Sequence, residues 1–473
     1  MKDMAYNQLL YSKLIKIGPI IPIVIWIVMG MSCAKATTSK QEPITNKATM
    51  NVLLIIGESH RADALGVAGN TFIQTPHIDL LAKQGVYFKN AHVTTAICSV
   101  SRASILSGQH RARHGINDFV TGFTANSFKQ TLPLQLKENG YRLAWIGSYG
   151  VGTAPNTEAF DLWAPKIPWN ENGLHNTDNI TAKATQWIQN YQAKDPFFMQ
   201  LNFNSAHEID PTATKPAHYL IQERFKNLYS DITIPTAASS DPAVWKSFPP
   251  FFQNEDNIAR KRWLGFFSNE ELFQKNSKDY YRSLTGVDEA VGKLIAKLKE
   301  KNLDQNTIII YTSDHGFSLG EHGIMGKWNA FKESTHVPLI IYHPQESSLK
   351  GLVNENSFAL NIDIAPTILG MLKAKIPTGM QGVNLMDMIS GKIANRDRFF
   401  YEHQVIGSPG LPQSEALITK DYKYIKFIEH NYEILYDLKN DPDEIKNEID
   451  NPQYANVLQD LRKTYLAERQ NAR

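Results

Sequence analysis

Five runs of consecutive apolar residues constrain this chain more than any other feature. They are "NVLLIIG" (51–57), "YRLAWIG" (141–147), "PFFMQLNF" (196–203), "TIIIYTS" (307–313) and "VPLIIYHP" (337–344). They are rich in β-branched and aromatic residues and do not alternate with polar ones. Unbroken runs of this kind fit strands buried on both faces, as in the parallel sheets of α/β proteins. Helical patterns lie between them. "LPLQLKENG" ends in a capping glycine, and "NITAKATQWIQNYQ" and "DYYRSLTGVDEAVGKLIAKLKEK" repeat apolar residues at spacings of three and four. This alternation predicts an α/β fold with a large, mostly parallel sheet flanked by helices.

In such sheets a ligand site lies beyond the carboxyl ends of the strands. Four of the runs lead straight into polar, reactive sequence: Glu58-Ser59-His60, Ser148-Tyr149, Asn204-Ser205-Ala206-His207-Glu208 and Asp314-His315-Gly316. The helical stretches show no such clustering. The convergence argues for one active site at that end of the sheet.

The N-terminus is a different kind of sequence. "MKDMAYNQLLYSKLIK" carries lysines, "IGPIIPIVIWIVMG" is apolar, and "MSCAK" brings small residues and Cys33. Residues 1–33 read as a bacterial export signal with a lipobox-like end at Cys33, and 34–50 as a polar tether. The expectation is an exported protein, in the periplasm or on the outer membrane of a Gram-negative bacterium, touching the membrane only through an N-terminal lipid or anchor. A plain signal peptide or a short membrane anchor is the alternative. With Cys33 lipidated, Cys98 is the one thiol left, and no intramolecular disulfide can form. The formal net charge of +2 gives no electrostatic case for nucleic acid.

Residues 51–370 carry the strand–helix pattern and read as the catalytic domain. Within them, 210–275 is richer in proline, aromatics and mixed charge, and reads as an insertion that shapes substrate choice. From 371 to 473 the pattern changes. "DYKYIKFI" and "NYEILYDL" predict antiparallel strands, and "ANVLQDLRKTYLAERQ" a closing helix. This is a small C-terminal α+β subdomain.

Three ordered motifs carry a resemblance. "CSVSRASILSGQHRARHGI" (98–116) is similar to a signature that begins C-x-P-S-R. "TSDHGFSLGEHGIMGKWNAFKESTHVPLIIY" (312–342) and "YEILYDLKNDPDEIKN" (432–447) are similar to the second motif and the closing segment of the same family. From about residue 51 onward the chain resembles the formylglycine-dependent sulfatases of the alkaline phosphatase superfamily, of the bacterial exported type. Taken singly these residues are weak signals. Cys98 with Arg102 reads as a buried structural cysteine beside a surface arginine, and Asp314-His315 as a capping aspartate and an exposed histidine.

The resemblance implies that a maturation enzyme oxidises Cys98 to formylglycine (3-oxoalanine), whose hydrate attacks sulfur. It implies catalytic roles for Cys98, Arg102, His207 and Lys327, with His207 as candidate general acid and Lys327 as a sulfate contact. It implies metal ligation by Glu58, Ser59, Asp314 and His315, with Ca2+ favoured and Mg2+ the alternative. The implied substrate is a sulfated sugar or polysaccharide, from which sulfate is removed.

Three positions depart from the family pattern. Glu58-Ser59 stands where Asp-Asp or Asp-Gln is usual. Val100 replaces the proline or alanine that follows the cysteine by two. Ser148 replaces a lysine, and the histidine that accompanies that lysine is absent. Two alternatives follow from these departures. One is a phosphoester or phosphonate-ester hydrolase of the same superfamily. The other is a catalytically silent lipoprotein that binds glycans through the old pocket.

Overall fold

The computed structural model describes residues 50–171, 173–209, 217–404 and 410–473. The export segment with Cys33, and the tether as far as residue 49, lie outside the described residues. The main sheet has eight strands: β1 (Asn51–Gly57), β2 (Val86–Phe88), β3 (Arg142–Gly147), β4 (Leu162–Ala164), β5 (Phe197–Asn202), β6 (Thr307–Ser313), β7 (Leu339–Tyr342) and β8 (Leu352–Asn354). Their order across the sheet is β8-β2-β7-β6-β1-β5-β3-β4. Every pairing is parallel except the two made by β7, which runs against both β6 and β2. The mostly parallel sheet expected from the apolar runs is therefore present.

Both-face burial explains those runs. In β1, Val52, Leu54 and Ile56 face one apolar cluster, while Leu53 and Ile55 face another across the sheet. Helix α1 (Pro76–Gln84), helix α3 (Asn176–Asn190) and the long helix α4 (Glu270–Glu300) cover the Leu53 side. Helix α2 (Cys98–Ser107) buries Val100, Ala103, Ile105 and Leu106 on the opposite side.

The C-terminal strands β9 (Arg398–His403), β10 (Ser414–Thr419), β11 (Tyr422–Phe427) and β12 (Tyr432–Asp437) form an antiparallel meander. One of its faces, with Phe399, Tyr401, Ala416 and Ile425, joins the core shared with α2. The other face packs Phe400, Leu417 and Leu435 against Leu458, Leu461 and Tyr465 of helix α5 (Ala455–Asn471). Strict alternation along each strand lets this one small sheet bury two unlike faces.

Register sets up the site. β1 and β6 pair in parallel from Asn51↔Thr307 to Gly57↔Ser313, so Glu58 and Asp314 leave the sheet side by side. β5 lies on the other edge of β1, with Ile56 opposite Asn202. Backbone bonds continue the pairing past the strand ends: Glu58 N–H donates to Ser205 O, and Ala206 N–H to Glu58 O. The loop bearing His207 is thereby held against the Glu58 turn.

Candidate active site

Cys98 is the first residue of α2, and no side chain caps that helix start. Its free N–H groups and positive dipole end face the same crevice as the strand ends, a favourable setting for an anion. Three side chains converge on the thiol. Lys327 Nζ lies 3.2 Å from Sγ, His315 Nε2 3.4 Å, and Sγ is 3.2 Å from Glu58 Oε1.

Arg102, one turn along α2, arranges the carboxylates. Its Nη2 donates to Glu58 Oε2 at 2.6 Å and its Nε to Asp314 Oδ2 at 3.0 Å. Its Nη1 donates to the Ser148 carbonyl at 2.6 Å. Three of its five N–H donors are thus placed on protein oxygens. Gly150, at φ +72°, makes room for it: a Cβ there would sit 3.2 Å from Arg102 Cδ. Because Arg102 takes Oε2 and Oδ2, the other oxygens, Glu58 Oε1 and Asp314 Oδ1, turn toward the centre, where His315 Nε2 lies 3.4 and 3.6 Å from them.

The donor set suits a divalent cation. Coordinating atoms of Glu58, Cys98, Asp314 and His315 all lie within 4.8 Å of one another. The Ser59 hydroxyl, next in chain, is buried without a hydrogen-bond partner. His315 Nδ1 is 2.8 Å from the Gly316 carbonyl, which fixes the proton there when the ring is neutral and presents Nε2 as a ligand. Two carboxylate oxygens and a hydroxyl favour a hard ion.

The electrostatics are those of buried, opposed charges. Burial pushes the Glu58 carboxyl up, but Arg102, His315 and Lys327 outweigh it and hold it well below the usual range. Burial lowers the His315 imidazole, yet Asp314 and Cys98 carry it up to about 10. Burial likewise opposes Lys327, and the charges of Cys98 and Glu58 raise it. His207 behaves oppositely: burial and then Lys327 take it down to about 3. Its Nδ1 is 2.6 Å from the Glu208 carbonyl.

Lys327 arrives on a loop pinned at its neighbour. Trp328 N–H donates to Ala96 O at 2.9 Å, and Tyr401 OH of the C-terminal sheet donates to Trp328 O at 2.6 Å. Gly326 (φ +117°) precedes it, and a Cβ there would strike the Trp328 ring at 2.5 Å.

Residues 50–374 match the sulfatase family model, and residues 320–471 match the model described as N-sulphoglucosamine sulphohydrolase, C-terminal. The chain belongs to the sulfatase family. It is a sulfuric ester hydrolase of that family. The sulfatase is 27% identical to an arylsulfatase of Clostridium perfringens, over 88% of this chain and 94% of the other. It is 26% identical to an N-acetylglucosamine-6-O-sulfatase of Bacteroides thetaiotaomicron, over 87% and 84%. Its fold matches that of a protein solved with its substrate D-glucosamine-2-N,6-O-disulfate, with a TM-score of 0.78, 22% identity, and coverage of 90% and 98%.

Glu58, Ser59, Cys98, Arg102, Asp314, His315 and Lys327 of the sulfatase lie together, with His207 on the adjoining loop. Tyr149, at the end of β3, is not part of the site: its ring packs among Trp145, Trp163 and Phe128. Nor is His60, whose ring nitrogens lie 2.6 Å from Tyr311 OH and 2.9 Å from Ala64 O. Arg111 and His114 do not stand in for the cation missing at Ser148. Arg111 pairs with Glu402 and Gln404, and His114 lies against Ser104 Oγ.

Reasoning from sequence did not single out Arg262, from the helix Ile258–Phe266. It pairs with Glu208, and its guanidinium carbon sits 5.5 Å from the Trp328 ring centre. The one signal was local: "RKRW" (260–263) sets three cations in an aromatic stretch.

Proposed function

We propose that this sulfatase removes sulfate from a sulfated sugar or polysaccharide, with Cys98 oxidised to formylglycine by a maturation enzyme and a divalent cation, Ca2+ in preference to Mg2+, held by Glu58, Asp314, His315 and the Ser59 hydroxyl. The observation that carries this reading is the convergence of Lys327, His315 and Glu58 on Cys98 Sγ at an uncapped helix start. A thiol kept only for packing has no need of a lysine and two metal-ligand types around it. The names of the relatives, which act on sulfated sugars, support the substrate class. Residues 1–33 support export with a lipid at Cys33.

The bound cation would lower the pKa of the nucleophilic hydroxyl. The chain's own residues do the rest. Arg102 holds Glu58 and Asp314 in the one orientation that turns an oxygen of each inward. Lys327 and the α2 N-terminus offset the negative charge of the sulfate oxygens. His207, whose loop is held against the Glu58 turn, would return a proton to the departing sugar oxygen. At about 3 its free pKa leaves the ring neutral at working pH. A bound sulfate, being negative, shifts it in the opposite direction, toward the protonated form an acid needs.

The test is mass spectrometry of the tryptic peptide "NAHVTTAICSVSR" from the native host, with turnover measured on matched sulfate and phosphate esters of one sugar. The expected result is formylglycine at position 98 and preferential sulfate release. Unmodified cysteine in a folded, metal-loaded sample removes the mechanism. Preferential phosphate release reassigns the chemistry to a phosphoesterase.

A further inference from the structure

We propose that Glu208 is a positioning residue for the reaction: it holds His207 by Nδ1, and its carboxylate steadies the positive charge of the ring that gives a proton to the departing oxygen. This deepens the reading given above and rests on it for the acid role of His207.

The fold places the Glu208 side chain. Its backbone pairs antiparallel with that of Tyr219, in the register His218↔Ile209 and Tyr219↔Glu208. The Tyr219 ring meets Phe266 edge to face, 5.7 Å between centres, and Phe266 ends the helix that carries Arg262. Arg262 Nη1 donates to Glu208 Oε1, which fixes the direction of the other oxygen. That oxygen, Oε2, is buried without a hydrogen-bond partner and lies 3.8 Å from His207 Nδ1. A buried carboxylate oxygen with no donor is costly in the resting protein. A positive charge on the ring beside it offsets that cost.

His207 is held from the same residue. Its backbone N–H donates to Asn204 O at 2.8 Å, and its Nδ1 lies 2.6 Å from the Glu208 carbonyl. A carbonyl only accepts, so the proton of the neutral ring sits on Nδ1 and Nε2 is left to exchange protons. Glu208 therefore grips the ring twice, by its carbonyl and by its carboxylate. The other charges around the ring are divided. Lys327, Arg262 and His315 oppose its protonation, and Glu58 favours it. The oxygens of Glu58 already face Arg102, Cys98 and His315. Oε2 of Glu208 has no such tie. In the step itself Nε2 gives its proton to the oxygen that keeps the electron pair of the breaking S–O bond. The ring returns to the neutral form with its proton on Nδ1. The carboxylate favours the charged ring that precedes this transfer.

The experiment uses the full chain with Glu208→Gln, Glu208→Asp, His207→Ala and the double variant His207→Ala with Glu208→Gln. It reads kcat and KM on the nitrophenyl and methoxyphenyl esters of sulfate. Nitrophenolate leaves readily, whereas methoxyphenolate leaves poorly without a proton. Glu208→Gln keeps an acceptor for Arg262 and the side-chain volume, but not the charge. It is expected to lower kcat by about 10–10²-fold on the methoxyphenyl ester and far less on the nitrophenyl ester, with KM nearly unchanged on both. Glu208→Asp keeps a counter-charge for Arg262, controls for folding, and is expected to lie between. In the His207→Ala background, Glu208→Gln is expected to cause no further loss. An unchanged kcat or equal losses on the two esters overturn the proposal. An undiminished loss in the His207→Ala background does so too, and makes Glu208 a brace for the fold. Failure of the proposed function shows instead in the wild type, as faster hydrolysis of the matched phosphate esters than of the sulfates. The same leaving-group comparison on the phosphates then decides for or against Glu208.

Discussion

Arg102 and Glu58 meet at 2.6 Å, Nη2 to Oε2, with the arginine 2% and the glutamate 5% exposed. The same guanidinium holds Asp314, which is fully buried. Taking Arg102 away leaves two carboxylates facing each other in a low-dielectric crevice. Arg102→Ala is therefore expected to cost about 3–5 kcal/mol of stability, the usual cost of stranding a buried partner. Chemical denaturation of the metal-free protein measures it. A loss below about 1 kcal/mol would show that the network contributes little to folding.

Lys327 is buried too, but its role in the charge balance differs. It lies 3.7 Å from Glu58 Oε1, and that carboxylate already has Arg102. Lys327→Ala strands no charge and removes one that resists burial. The expected result is a fall in kcat of about 10²–10³-fold with a stability change within about 1 kcal/mol. Kinetics and denaturation on the same preparation decide. A large stability loss with modest kinetic damage would assign the lysine to the fold.

This split between Arg102 and Lys327 shows what could be read in the sequence and what could not. The long strands were legible because burial on both faces leaves no polar residue to interrupt them. The strands Val86–Phe88, Leu162–Ala164 and Leu352–Asn354 were not, since three residues carry no period. The reversal of Leu339–Tyr342 was equally hidden, because an apolar run has no direction. Glu58 and Asp314 were legible as residues that follow buried strands. Their adjacency followed from register, which only pairing fixes. Helical spacing places Arg102 on the face of Cys98, but it does not show the two carboxylates that Arg102 holds there. The pairing of Arg262 with Glu208, the residue after His207, joins positions 54 residues apart that no local pattern relates.

The carboxylate pair also predicts how the protein responds to metal. Glu58 Oε1 and Asp314 Oδ1 share one centre with His315 Nε2. Ca2+ added to chelator-treated protein is expected to raise Tm in proportion to the logarithm of its concentration. Asp314→Asn removes one charge and one well-directed oxygen, and is expected to abolish most of that rise. Differential scanning calorimetry across a Ca2+ titration tests it. An equal response in Asp314→Asn would move the cation away from this centre.

For His207 the informative variable is the leaving group. A sugar alkoxide leaves poorly without a proton, whereas a nitrophenolate hardly needs one. His207→Ala is expected to lower kcat on a sugar sulfate by about 10²–10⁴-fold, with a much smaller loss on nitrophenyl sulfate. Equal losses on both substrates would assign His207 to sulfate binding or to positioning.

Far from the site, Asp288 of α4 predicts a pH effect on stability. Its Oδ1 accepts N–H bonds from His77 at 3.0 Å and Ile78 at 2.8 Å, in the first turn of α1, so one helix caps another. Burial raises its pKa from the usual 3.8 to about 7, against those two hydrogen bonds, with Asp79 and Glu289 adding to the rise. The sign follows from which form burial penalises. With its folded pKa above the unfolded one, this group's contribution is fully present below pH 3.8. It is lost as pH climbs through about 7, at about 1.4 kcal/mol per unit of pKa difference. Asp288→Asn keeps one acceptor oxygen and cannot ionise. The difference in unfolding free energy, variant minus wild type, is therefore expected to grow in the variant's favour from pH 4 to about pH 7 and then level off. Urea denaturation of both proteins at intervals of about one pH unit measures it. A difference that stays flat across that range would mean that the cap holds Asp288 ionised throughout, with its two N–H bonds and the α1 dipole outweighing the cost of burial.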